Sequence, residues 1–144
     1  MTPLAALVER LRPDDLPPLP GRWAVGTGGR AFAIAALAAR QDRPVLVVTP
    51  GEREAEELTE DLELFCDEVL LLPAWETLPF EHVSPNAQTM AMRAQARHRL
   101  AEGRPGLVVV APVRGVVQKV SPSGVEPIRF ERGAEIDLSE LTQR

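Results

Sequence analysis

Two short, uninterrupted apolar runs constrain the fold of this chain more than any other feature. "PVLVVT" (44–49) and "GLVVVAP" (106–112) consist mainly of valine and leucine, and neither run alternates with polar residues. Runs of this length and composition are typical of strands covered on both faces, which occur chiefly in parallel sheets. "EVLLLP" (68–73) predicts a further strand, and "RWAVGT" (22–27) is a candidate for a fourth.

Helical patterns lie between these runs. Residues 30–40 are almost wholly apolar, which predicts a helix buried on most sides. The stretch 49–66 opens with a capping pattern in which Thr49 precedes Glu52 by three residues. Its apolar residues recur at helical spacing, at Ala55, Leu58, Leu62 and Phe65.

Three further helices complete the predicted pattern. One covers residues 87–103 and ends at Gly103, a second covers 2–12 with Thr2 as its cap, and a third runs from 113 to Val120. Strands that alternate with helices in this way predict right-handed crossovers. The expected fold is therefore α/β, with a parallel sheet flanked by helices.

Composition and charge narrow the class of protein. With 44% hydrophobic and 26% charged residues among 144, the chain has the balance of a soluble globular protein. Its formal net charge of −5 argues against a general nucleic-acid binder, because such binding depends on excess Lys and Arg. A single cysteine, Cys66, rules out an internal disulfide and fits a reducing compartment. Without an apolar run long enough to span a membrane, the expected location is the cytoplasm.

A glycine cluster at Gly26, Thr27, Gly28, Gly29 and Arg30 has the outline of a phosphate-binding loop. A working loop places a lysine and then Ser or Thr at the start of the helix, to hold phosphate and Mg²⁺. Neither possible register supplies them here, since the only lysine of the chain is Lys119.

The acidic residue that organises Mg²⁺ in such enzymes is missing as well. The run 106–112 ends in Ala111 and Pro112, and no Asp or Glu follows until Glu126. The loop is interpreted as a structural remnant in a chain without catalytic activity and without a cofactor of its own. The alternative is a nucleotide or anion site formed by backbone amides and Arg30.

Other chemically distinctive residues favour structural roles. Trp75 and Glu76 lie in a loop where the indole is expected to pack against the sheet edge rather than to meet a partner. Arg93, Arg97 and Arg104 are expected on one solvated helical side, with contact to a partner or to DNA as the alternative. Neither His82 nor His98 has companions at metal-ligand spacing, so no metal site is predicted, and Cys66 is expected in the core.

The sequence resembles the N-terminal module of bacterial transcription-repair coupling factors. The similarity rests on "LPAWETLP" (72–79), "SP" (84–85), an arginine-bearing helix and "PVRGVVQKVSP" (112–122). That module is in turn similar to UvrB, the B subunit of the bacterial excision nuclease, and shares its RecA-like first domain. UvrB has "GTGKT" where this chain has "GTGGRA", and its long aromatic hairpin has no counterpart here.

The resemblance implies a multi-domain parent protein. Members of the family are ATP-driven DNA translocases that remove stalled RNA polymerase and recruit the excision-nuclease A subunit, UvrA. Their motor, which uses ATP and Mg²⁺, lies far downstream, and the surface that recruits UvrA lies mainly on the second domain. We therefore expect residues 1–120 to form the first, RecA-like domain and residues 121–144 to begin a second domain, with strands around a turn at Gly133.

Overall fold

The computed structural model describes residue 2, residues 4–11, 15–77 and 84–119, and residue 133. Within these residues the helices are α1 (Ala5–Glu9), α2 (Arg30–Ala38), α3 (Glu52–Glu63), α4 (Ala87–Glu102) and α5 (Val113–Val117). The strands are β1 (Val45–Thr49), β2 (Glu68–Leu71) and β3 (Leu107–Pro112). Gly133 lies in a turn with a φ of 92°. The rest of the predicted second domain lies outside the described residues, and the boundary at residue 120 stays a prediction.

The three strands form one parallel sheet in the order β1-β3-β2. Val45 pairs with Val108 on one side of β3, and Glu68 pairs with Leu107 on the other. Every residue of β3 is buried, as its continuous apolar run predicts. The predicted α/β class with a parallel sheet is thus confirmed.

One face of the sheet is covered by α2 and α3, and α1 packs against α2. Val108 and Val110 of β3 face this side and are fully buried in a core with Ala55 and Leu62 of α3. The buried residues of α2 are all alanines: Ala31, Ala35, Ala36 and Ala38. Small side chains let this helix approach the sheet closely, so the predicted burial of α2 is confirmed on its inner side.

The opposite face is covered only in part. Leu107, Val109 and Ala111 of β3 pack against Ala96 and Leu100 of α4. On β1, however, Leu46 and Val48 point to this same side and remain 45% and 51% exposed. The prediction that residues 44–49 are covered on both faces is therefore wrong within the described structure, because α4 lies over β2 and β3 and not over β1.

Residues 21–26 form no strand, contrary to the prediction for 22–27. This segment has only one apolar pair that can be buried, Trp23 and Val25, and Val25 is 38% exposed. The run is too short and too glycine-flanked for sequence periodicity to decide whether it pairs with the sheet.

Two predicted helix caps are also wrong. The cap of α3 is Gly51, because Thr49 is still in β1 and its hydroxyl donates to the carbonyl of Gly51 at 2.9 Å. The cap of α1 is Leu4, and the hydroxyl of Thr2 has no hydrogen-bond partner within the described chain. By contrast, α4 ends as predicted at Gly103, in the left-handed conformation with a φ of 67°.

Candidate functional site

The glycine loop forms a tight turn at the start of α2. Residues Thr27–Gly29 make one turn of 3₁₀ helix, which continues directly into α2 at Arg30. The amide of Gly29 donates to the carbonyl of Gly26 at 2.9 Å, and the amide of Arg30 donates to the carbonyl of Thr27. Two of the amides that would face a phosphate in a working loop are thus bonded inside the loop itself.

The side chains around this loop offer little chemistry. Ala31, at one of the two positions where the metal-binding hydroxyl belongs, is buried against the core. Arg30 is exposed and borders a mainly apolar cavity of about 270 Å³ with Trp23, Val25 and the outer side of α2. The guanidinium of Arg30 is the one charged group that could meet an anion among the side chains that line this cavity.

The carboxyl ends of parallel strands are where α/β proteins usually bind ligands. Here the strands end at Thr49, Leu71 and Pro112, without a carboxylate. Two nearby acids accept hydrogen bonds from other segments instead: Glu52 Oε1 accepts from the amide of Ala74 at 3.2 Å. In the same region, Glu76 Oε1 accepts from the hydroxyl of Thr89 at 2.7 Å.

Arg93 is the most unusual side chain in the described structure. It lies on α4, yet it is only 2% exposed. Its NH1 donates to the carbonyl of Pro73, and its guanidinium carbon lies 4.6 Å from the ring centre of Trp75. Within the described chain, its Nε and NH2 have no hydrogen-bond partner. Burial lowers the pKa of Arg93, Arg97 lowers it further, and Glu52 opposes both.

Trp75 is fixed from two directions. Besides its contact with Arg93, its amide donates to Gln118 Oε1 at 2.6 Å, and Gln118 Nε2 donates back to its carbonyl at 3.3 Å. The loop after β2 is therefore tied to α4 and to the end of α5. A cleft of about 460 Å³ lies beside this loop, with Glu52, Trp75, Glu76, Thr89, Met92 and Arg114 in its lining.

The three arginines expected on one solvated side do not form one surface. Arg93 is buried, so it is not available to DNA or to a partner, and the expectation of a solvated Arg93 is wrong. Arg97 is half-buried, and Arg104 lies beyond the end of α4, where its Nε is 3.4 Å from Glu102. The helix period held a signal for this burial, because Thr89, Arg93, Ala96 and Leu100 fall on one stripe. The charges of these residues alone do not reveal this stripe.

The remaining candidate residues are the two histidines and the cysteine. His98 Nε2 lies 3.6 Å from Glu102, while His82 is outside the described residues. Cys66 packs partly buried against the core, and burial, followed by the charge of Asp67, raises the pKa of its thiol. The described residues contain no cluster of His, Cys, Asp and Glu that could hold a metal ion. No helix among them is long and apolar enough to cross a membrane.

Together these features define a class of protein. The described part of the chain is an α/β structure with a three-stranded parallel sheet flanked by helices, an arrangement compatible with a RecA-like fold. A glycine turn precedes a buried helix, without the side chains of a working phosphate loop.

Relatives of known name identify the family. The transcription-repair-coupling factor of Mycobacterium tuberculosis is 36% identical over an alignment that covers 99% of this chain and 13% of that protein. The factor of Myxococcus xanthus is 29% identical over 99% of this chain and 12% of its own length. That of Escherichia coli is 30% identical over 64% of this chain and 8% of its own length. No protein-family model matches the chain.

The chain belongs to the transcription-repair coupling factor family. It spans only 13% of the length of its mycobacterial relatives. The family links the chain to transcription-coupled repair.

Proposed function

We propose that this chain is a non-catalytic, N-terminal scaffold module of a transcription-repair coupling factor. In this proposal it supports the following domain, which recruits the excision-nuclease A subunit, UvrA, during nucleotide excision repair. The parent protein would be an ATP-dependent DNA translocase that removes stalled RNA polymerase, with its ATP- and Mg²⁺-dependent motor elsewhere in the polypeptide. Contacts with DNA and RNA polymerase then belong to those other domains.

The hydrogen bonds inside the glycine loop carry this proposal. A phosphate loop needs its backbone amides free to point at the phosphate oxygens. Here the amides of Gly29 and Arg30 are bonded to Gly26 and Thr27, and the helix continues with a buried alanine instead of a hydroxyl. Rearranging the loop for a nucleotide would break both hydrogen bonds, with no lysine to compensate.

The exposed apolar surface supports a scaffolding role. Parallel sheets normally have both faces covered, but Leu46 and Val48 of β1 are half-exposed. On α5, Val113, Val116 and Val117 are also exposed, the last by 73%. In the proposal these side chains pack against other parts of the much longer parent protein.

A calorimetric titration of the chain with ATP and Mg²⁺, and separately with ADP and with phosphate, tests the proposal. We expect no saturable heat up to about 1 mM ligand, which corresponds to a binding free energy weaker than about 4 kcal/mol. Saturable binding in the micromolar range would contradict the scaffold proposal and would favour a nucleotide-responsive module.

Two variants identify the site if binding is seen. Arg30→Ala should abolish the affinity if the glycine loop holds the anion, because Arg30 is the exposed cation at the start of α2. Arg22→Ala removes an exposed arginine that precedes the loop, so it serves as the matched control.

The link to UvrA needs a separate binding measurement. Surface plasmon resonance with purified UvrA would compare this chain with the complete coupling factor. We expect binding by the complete factor and little or none by this chain, because the proposal assigns the recruiting surface mainly to the following domain. Equal affinity of the two would place the UvrA contact on this chain instead.

A further inference from the structure

We propose that the edge of β2 that pairs with no other described strand is a docking groove for an extended, basic segment of a partner protein, which adds a strand to the sheet. Strand addition of this kind uses the unpaired backbone groups of an edge strand for affinity and the neighbouring side chains for specificity. This surface is separate from the glycine loop and adjoins the cleft beside Trp75, with which it shares Glu56, Leu71 and Met92.

The shape of the surface indicates an edge groove. Val69, Leu70 and Leu71 all line a cavity of about 290 Å³. Successive side chains of a strand point to opposite faces of a sheet, so three consecutive residues line one cavity only where it lies along the strand edge. Its walls are one helix on each side: Glu56, Thr59, Glu60 and Glu63 of α3, and Met92 and Gln95 of α4.

The pairing pattern shows which backbone groups face this groove. Leu70 is in register with Val109, and the amide of Leu72 donates to the carbonyl of Val110 at 2.8 Å. In a parallel ladder, alternate residues bond to the same neighbouring strand. Leu70 and Leu72 therefore face β3, and the N–H and C=O groups of Val69 and Leu71 face the groove.

The charge of the walls determines the kind of segment that fits. Glu56, Glu60 and Glu63 recur at helical spacing along one side of α3, and all three are exposed. The α4 wall is uncharged, with Met92 and Gln95. An added strand alternates its side chains between these walls, so it should carry Lys or Arg towards α3 and apolar or neutral residues towards α4. A second copy of β2 is disfavoured as occupant, because pairing two such edges would bring two acidic walls together.

A labelled nine-residue peptide of alternating lysine and valine is the first probe. Fluorescence anisotropy should show saturable binding to the chain at physiological ionic strength. Amide hydrogen exchange distinguishes strand addition from simple attraction of a basic peptide to the acidic residues of α3. Exchange should slow at the amides of Val69 and Leu71, which face the groove, and remain unchanged at Leu70, which is already bonded to β3.

Charge reversal on α3 supplies a matched pair of variants. Glu60→Lys should weaken peptide binding by about fivefold, the factor that corresponds to one exposed ion pair at its upper limit. Asp61→Lys makes the same charge change at an exposed neighbouring residue that does not line the groove. Because salt screens its charge from the peptide, this variant should bind the peptide with nearly the affinity of the original chain. Both positions are exposed, so circular dichroism should confirm that both variants fold.

Three results would overturn the proposal. The first is no saturable binding at peptide concentrations up to about 1 mM, a limit that corresponds to a binding free energy of about −4 kcal/mol. The second is equal binding of a peptide in which the central valine is replaced by proline, which disrupts the backbone of an added strand. The third is unchanged exchange at Val69 and Leu71 in the saturated complex.

Discussion

At the scale of single residues, Arg93 shows how a charged side chain can belong to a core. Its hydrogen bonds and its contact with Trp75 join three segments: the loop after β2, α4, and α5, where the carbonyl of Gly115 lies 3.5 Å from NH1. Arginine suits this position because its planar guanidinium can donate at the edge while it stacks against a ring. Because only some of its N–H donors have partners, Arg93 contributes less to the stability of the fold than its contacts suggest.

We expect Arg93→Ala to lower the free energy of unfolding by about 3 kcal/mol, because it removes a buried side chain and leaves a buried carbonyl without its donor. Arg93→Met should cost less, since methionine refills the space without a buried charge. Urea denaturation measures both. The control is Arg53→Ala, whose side chain is 79% exposed and 3.7 Å from Glu57, and which should change stability by less than about 0.5 kcal/mol. A similar cost for Arg93→Ala and Arg53→Ala would contradict the structural role.

Cys66 gives a prediction about pH. Burial raises the pKa of its thiol above the ordinary value of 9.0, so the unfolded chain loses this proton at a lower pH than the folded chain. The raised pKa therefore contributes to the stability of the folded chain. This stabilisation is fully present below pH 9.0 and is lost as the pH rises through the pKa of the folded chain.

The same shift should protect the thiol from alkylation. At pH 8.5 the folded chain should react with iodoacetamide several-fold more slowly than the urea-unfolded chain, because the thiolate is the reactive form. Mass spectrometry of the alkylated chain measures the two rates. Equal rates would show that Cys66 is not shielded.

At the scale of elements, the glycine at the end of α4 allows the effect of backbone conformation on stability to be measured separately from the effect of side-chain packing. Gly103 has a positive φ, and a Cβ there would meet nothing within 4 Å. Gly28 has equally open space, but its φ is not in the left-handed region. Gly103→Ala should therefore cost about 1 kcal/mol of stability, and Gly28→Ala should cost little or nothing. Thermal unfolding of the two variants makes the comparison, and an equal cost would refute the backbone explanation.

The elements that sequence predicts well are those with long, regular patterns. The strands of the sheet and helices α3 and α4 were predictable because their apolar spacing is continuous, and Gly103 marked a helix end. The N-terminal caps of the helices were not predictable in the same way. Thr49, for example, has the side chain of a good cap, but β1 extends through this residue. Sequence also could not show that Glu52 accepts a hydrogen bond from the loop after β2, or that Glu76 of this loop accepts one from Thr89 of α4. These contacts join residues 22 and 13 positions apart in the chain.

At the scale of the whole molecule, the two faces of the sheet differ in how well they are covered. On β1, Val47 packs against the core with α2 and α3, whereas its neighbour Val48 is 51% exposed on the other face. Adjacent residues of one strand thus occupy opposite environments, as the two-residue period of a strand requires. Val48 thus belongs to an apolar face on an edge strand that the described residues leave uncovered, and such a face favours association with another surface.

We expect substitution of these two valines by lysine to have opposite consequences. Val47→Lys should destabilise the chain by several kcal/mol, because it places an unpaired charge against the core. Val48→Lys should change stability by less than about 0.5 kcal/mol and should reduce any self-association of the chain at high concentration. Urea denaturation measures the first quantity, and sedimentation velocity measures the second. If Val48→Lys unfolded the chain, that face would have to be covered within this chain itself, and its proposed role in contacting the rest of a coupling factor would be lost.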